Sequence, residues 1–111
     1  MNAETALQNY IRLAVGSRPD VRLFRNAVGF DNERKVRYGL APGSPDLVGW
    51  KTVTITKDMV GKRIAQFLGI EVKTADGRVE LEQAAFIEAL QKAGGLGGFA
   101  RSVDQAKEIV E

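Results

Sequence analysis

Hydrophobic and polar positions follow two rhythms along this chain. Near the N-terminus, Ala3, Leu7, Tyr10, Ile11 and Ala14 recur at helical spacing, which predicts an amphipathic helix over residues 2–15. Asn2 suits its N-cap and Gly16 its stop. Glu4 borders the apolar face of that helix. After Arg18-Pro19-Asp20 the period shortens. "VRLFRNAVGF" and "VRYGL" read as two strands, joined as a hairpin by the polar tip "DNERK". "APGSP" must be a loop with a constrained path, and Asp46 follows it at once.

"DLVGWKTVTIT" reads as a strand rich in β-branched residues, "KDMVGKR" as a polar connection, and "IAQFLGIEVKT" as the most apolar strand. "ADGR" is a turn. Residues 80–93 predict a second helix with apolar Leu81, Ala85, Leu90 and Ala93, stopped by Gly94-Gly95. Its start is poorly marked, because Val79 and Glu80 are weak caps. "LGGFAR" reads as a closing strand, and Ser102 with Gln105 forms a capping-box pattern before a helix over residues 103–110.

The predicted order is α-β-β-β-β-α-β-α. A helical crossover between the strands at 65–74 and 96–100 predicts a parallel pair, and the meander before it predicts antiparallel strands. The expected fold class is therefore α/β, a mixed sheet with helices packed on it. The 111 residues suit a single domain, 1–111.

Composition narrows the chemistry. With neither Cys nor His, thiolate zinc sites, Cys nucleophiles, Ser-His-Asp triads and His general bases are excluded. An enzyme made from this chain works with carboxylates, Lys, Tyr, Ser/Thr or a hard metal ion. No window approaches the ~18 apolar residues of a membrane span, and no secretory signal opens the chain, so it reads as cytoplasmic. Net charge is only +2, but Arg18, Arg22, Arg25, Arg34, Lys35 and Arg37 crowd the first third. That suits a polyanionic partner. A solvated hairpin with scattered charges accounts for it equally well.

Charge inside the apolar strands is the sharper signal. Alternation puts Leu68, Ile70, Val72 and Thr74 on one face, expected to pack on a helix. Phe67, Gly69, Glu71 and Lys73 share the other, with Glu71 and Lys73 ~7 Å apart along the strand. Gly69 leaves space beside them. A structural ion pair would satisfy a buried Glu71. Asp46, however, opens the neighbouring apolar stretch. If the two strands pair, two carboxylates converge, and their repulsion is relieved by a divalent cation such as Mg²⁺ or Mn²⁺. A second E-x-K, Glu33-Arg34-Lys35, lies in the polar hairpin tip and reads as solvated surface.

Pro45-Asp46, 24 intervening residues and Glu71-x-Lys73 together resemble the PD-(D/E)xK nuclease signature. The wider string "YGLAPGSPDLVGW … GIEVKT … GRVELEQAAFIEAL … GG … AR" is similar to the virus-type replication-repair nuclease domain, VRR-NUC, from about Phe24 to the C-terminus. The resemblance implies a restriction-endonuclease-like core that hydrolyses DNA with Mg²⁺ or Mn²⁺ and without a nucleotide cofactor. Stand-alone viral members imply a homodimer that cuts four-way, Holliday-type junctions, here in the host cytoplasm. The same chemistry on flaps, ends or nicked duplex is the alternative, as is a non-catalytic DNA-binding or scaffold protein.

By the resemblance, Asp46 and Glu71 are metal ligands, joined by the Val72 backbone oxygen. Lys73 orients or helps deprotonate the attacking water. Gln83 borders the site, and Glu4 matches the N-terminal helix acid of resolvase-like members. Arg25, Asn26 and Arg37 are DNA-backbone candidates, while Tyr38 and Ser44 shape the approach to the phosphate. Trp50 reads as core or dimer interface before base-stacking platform.

Overall fold

In the computed structural model, which describes residues 2–111, the chain divides into two units, Met1–Lys51 and Thr52–Glu111. The first unit opens with helix α1, Ala3–Gly16. The Asn2 side chain caps it by accepting from the Thr5 N–H at 2.8 Å. Strand β1, Val21–Arg25, carries Leu23 against the end of α1 beside Gly16. The apolar face expected to be covered is largely open: Tyr10 is 73% exposed, and α1 contributes no buried residue. The last turn of α1 rests on a narrow strand pair, which is too small to cover the whole helix.

The segment 21–30, expected as one strand, is divided. β1 ends at Arg25, and a separate strand β2, Gly29–Asp31, forms the hairpin with β3, Val36–Tyr38. Asp31 closes that hairpin by accepting from the Glu33 and Arg34 N–H groups. β1 pairs instead with β4, Leu47–Lys51, antiparallel, with Arg25 opposite Leu47 and Val21 opposite Lys51. The backbones approach so closely that a Cβ on Gly49 would lie 1.9 Å from the Arg22 carbonyl oxygen. On the other face, the Phe24 and Trp50 rings pack at 5.5 Å between centroids, tilted by 57°.

The second unit begins with a stretch expected as strand. β4 ends at Lys51, and residues 52–56 run exposed and without strand structure into a 3-10 turn, Lys57–Met59. The regular part follows: β5, Leu68–Val72; α2, Leu81–Lys92; β6, Leu96–Ala100; α3, Val103–Val110. β5 and β6 pair in parallel, Leu68 opposite Leu96 and Val72 opposite Ala100, with α2 as the expected crossover. Ser102 caps α3 by accepting from the Gln105 N–H at 3.1 Å.

The core of this unit is Leu90, wholly buried, with Ile87 and Ala100. It sits on glycines. A Cβ on Gly97 would meet Leu90 Cδ2 at 2.9 Å, and one on Gly69 at 3.0 Å. α2 therefore packs on the β5 face that carries Gly69 and Glu71. The apolar face, expected to take a helix in full, receives only short α3, through Ile109 over Gly98. Val72 stays 74% exposed. Small residues, which let a helix come close, outweighed apolar ones in deciding which face is covered.

The observed order has one strand more than expected before α2, because the 21–30 segment splits. The class is the expected one: α/β, with three helices and both parallel and antiparallel strand pairs. Among the described residues, no helix is long and apolar enough to cross a membrane.

Candidate active site

Three of the four residues expected to carry chemistry meet at the C-terminal end of β5. Strand alternation places Glu71 and Lys73 on one side, and the Lys73 N–H donates to the Ala100 carbonyl at 3.0 Å, which extends the ladder past Val72. Lys73 Nζ lies 3.7 Å from Glu71 Oε1. The lysine side chain is only 14% exposed, the glutamate 36%. The lysine stem runs beside Gly77, where a Cβ would sit 3.4 Å from Lys73 Cδ.

Gln83 arrives from the first turn of α2. Its Nε2 donates to Glu71 Oε1 at 2.9 Å, and its Oε1 accepts from the Glu80 N–H at 3.1 Å. One side chain thus caps the helix and fixes the strand carboxylate. The Glu80-x-x-Gln83 spacing was the missing start signal of this helix. Glu71, Gln83, Glu82, Phe86, Ile87 and Gly69 line an open hollow of about 300 Å³. Phe86 and Ile87 give it an apolar wall beside the acid.

Arg101 was not foreseen. Its guanidinium donates to the Thr74 carbonyl at 2.5 Å and reaches the Ala75 carbonyl at 3.4 Å. It holds the turn that follows Lys73. The closing "AR" of the motif string marks its place, but the sequence gives it no role. Val72 sits at the last position of β5, so its backbone is fixed by the same ladder.

Asp46 lies in the first unit, at the end of the loop before β4. Ser44 N–H donates to the Ala41 carbonyl at 2.9 Å across Pro42-Gly43, and Gly43 has φ +86°. Proline followed by a left-handed residue is a type II turn, which explains the Pro-Gly pair. The Asp46 residue is exposed, and no donor or cation within residues 2–51 holds its carboxylate. Asn26 is 9% exposed, and its amide donates to Ser44 Oγ and to the Pro45 carbonyl, both at 2.8 Å. Ser44 is therefore engaged with Asn26.

Arg25 and Arg37 are exposed, and among the described residues neither joins an ion pair. Phe30 stands opposite Arg37 on the hairpin, and Tyr38 stands opposite Gly29 with its ring over the glycine. Glu4 is exposed in the first turn of α1.

The donor set suits a hard cation. Carboxylate and carbonyl oxygens are the ligands Mg²⁺ and Mn²⁺ take, with no sulfur or imidazole to compete. Among the described residues, no group of three or more acidic side chains gathers.

The family model of the VRR-NUC domain matches residues 30–104, about two thirds of the chain, from Phe30 in β2 to Asp104 in α3. The match takes in Arg37, Tyr38, Ser44, Asp46, Glu71, Lys73 and Gln83, and leaves Glu4, Arg25 and Asn26 outside it. No curated protein and no solved structure matches the chain significantly. With its E-V-K strand, its Gly-rich strand pair and its Gln-capped crossover helix inside the matched region, the chain belongs to the VRR-NUC domain family, the virus-type replication-repair nucleases.

Proposed function

We propose that this nuclease is a metal-dependent DNA endonuclease of the PD-(D/E)xK type, acting as one catalytic domain. The observation that carries the reading is the Gln83–Glu71–Lys73 cluster at the end of β5. A structural ion pair needs no glutamine fixing its acid above an open hollow. A hydrolytic site does.

Asp46, Glu71 and the Val72 carbonyl would hold Mg²⁺ or Mn²⁺. When bound, the cation supplies Lewis acidity at the phosphate and lowers the pKa of water. The rest falls to the chain. Gln83 keeps Glu71 Oε1 in one direction and leaves Oε2 for other work. Lys73 points its ammonium to the same spot, where it orients the attacking water and offsets charge growing on the phosphate oxygens. Phe86 and Ile87 form an apolar wall beside Glu71 in the open hollow. Arg25 and Arg37, exposed and without ion pairs, are free to take phosphates along the strand. Tyr38 borders that surface. Glu4, in the exposed first turn of α1, is a further acid available to the cation or its waters. Asn26 and Ser44, bonded to each other, serve the loop before they serve DNA.

The proposed substrate is a four-way junction, cut by a homodimer whose twofold axis would give symmetric incisions. A panel of junction, flap and linear duplex, each with Mg²⁺, Mn²⁺ or EDTA, tests this. Cation-dependent incision favouring the junction is expected. Equal rates on linear duplex would remove the junction preference, and a species near 12 kDa by light scattering would remove the dimer.

A further inference from the structure

We propose that Asn26 is a positioning residue for Asp46, setting the direction in which its side chain leaves the backbone without touching the carboxylate; the inference rests on the metal-site reading above. Asn26 makes four hydrogen bonds, and all of them end in the 40–46 loop. Its backbone N–H donates to the Asp46 carbonyl at 2.8 Å. Its side-chain amide donates to the Pro45 carbonyl and to Ser44 Oγ, both at 2.8 Å. Its Oδ1 accepts from the Leu40 N–H at 3.0 Å.

The two carbonyls matter most. The Pro45 carbonyl belongs to the peptide plane on the N-terminal side of the Asp46 Cα. The Asp46 carbonyl belongs to the plane on its C-terminal side. A single residue holds both planes, which restrains φ and ψ of Asp46 and with them the Cα–Cβ direction. Pro45 adds its own constraint from the preceding position. Leu40 and Ser44 tie the two ends of the loop to the same amide, so the loop cannot swing as a body.

The bonding also explains the residue type. Both amide hydrogens and the amide oxygen are used, a donor-acceptor set that aspartate lacks at equal size. At 9% exposure, water cannot replace a lost partner. The break between β1 and β2 falls at the same place: residues 26–28 leave strand structure where Asn26 commits its side chain to the loop.

The test compares full-length wild type with Asn26→Asp, Asn26→Ala and Ser44→Ala. It reads Mn²⁺ binding to the free protein, the Mn²⁺ requirement of junction cleavage, and amide-exchange protection at Leu40. Asn26→Asp keeps shape and the Leu40 acceptor but turns an oxygen toward the Pro45 carbonyl. It is expected to weaken Mn²⁺ binding by about 10–100-fold, the range of lost outer-shell support, with excess Mn²⁺ restoring part of the rate. A loss of folded protein alone would lower the rate without moving the Mn²⁺ requirement. If the Asn26 variants do not fold, Ser44→Ala decides: it removes one bond of the four and is expected to raise the requirement by about 2–5-fold. An unchanged requirement in folded Asn26→Asp, or in Ser44→Ala, overturns the inference while the nuclease reading stands. Wild type that neither binds Mn²⁺ nor cleaves overturns both.

Discussion

Gln83 Nε2 donates to Glu71 Oε1 across 2.9 Å, linking the first turn of a helix to the end of a strand twelve residues earlier. The same side chain accepts from the Glu80 N–H. Removing it therefore acts twice. Gln83→Ala loses a helix-end bond and a bond to a carboxylate, which together cost about 1–3 kcal/mol at this half-exposed site. A fall in thermal midpoint should accompany a drop in cleavage of about 10–100-fold. Gln83→Glu sets two acids in contact. Its midpoint should fall near neutral pH and recover part of the loss in mild acid, where the repulsion is relieved.

Leu90 is the one fully buried large side chain among the described residues, and it lies over Gly69 and Gly97. Leu90→Ala should cost about 2–5 kcal/mol, by lost transfer energy and the cavity left behind. Because α2 carries Gln83, its loosening should also reduce cleavage. Denaturant unfolding and activity at a temperature where the variant is still folded separate the two effects.

Much of this arrangement is written in local chemistry. Strand alternation alone put Glu71 beside Lys73, and the Ser102–Gln105 pair marked α3. Other features depend on close approach, which a residue pattern does not record. Gly69 and Gly97 look like weak strand positions, yet they are where Leu90 fits, so the close packing of α2 on the Glu71 face is not legible in the pattern, while the apolar face takes a helix, the short α3. "VRLFRNAVGF" scores as one strand because nothing local says that Asn26 will bond a loop 14 to 19 residues ahead. "TVTIT" has strand-forming residues but no paired neighbour, and propensity without a partner does not make a strand.

The Arg18 guanidinium makes two hydrogen bonds to Asp20, at 3.1 and 2.9 Å. That hydrogen bonding is the main reason the Asp20 carboxyl titrates below the ordinary aspartate range; partial desolvation opposes it, and the charge of Arg18 adds to it. The folded value is depressed, so the contribution to stability is present above the unfolded aspartate range. It is lost as pH falls through the folded value, in acid only. The pair is open to solvent and salt will shrink it. In Arg18→Ala, the Asp20 titration followed by carboxyl NMR should move up, with little change in stability near neutral pH.

Lys73 Nζ lies 3.7 Å from Glu71 Oε1 and is mostly covered. Lys73→Ala should leave the fold largely intact, because its stem lies over Gly77 and not in the Leu90 core. On the role proposed for Lys73, cleavage should fall by at least about 100-fold, because general acid–base and electrostatic help would be lost together. Lys73→Arg should restore little: the guanidinium keeps the charge but neither the shape nor the ability to give up a proton.

Under the proposed function, Asp46 and Glu71 would serve the same cation. Mn²⁺ binding to Asp46→Ala, Glu71→Ala and the double variant, read by calorimetry on folded protein with DNA cleavage measured alongside, tests it most directly. Ligands of one ion act as a unit, so each single variant should abolish the same binding event and the double variant should be no worse than either. Full-strength Mn²⁺ binding in either single variant, or losses that simply add, would contradict it.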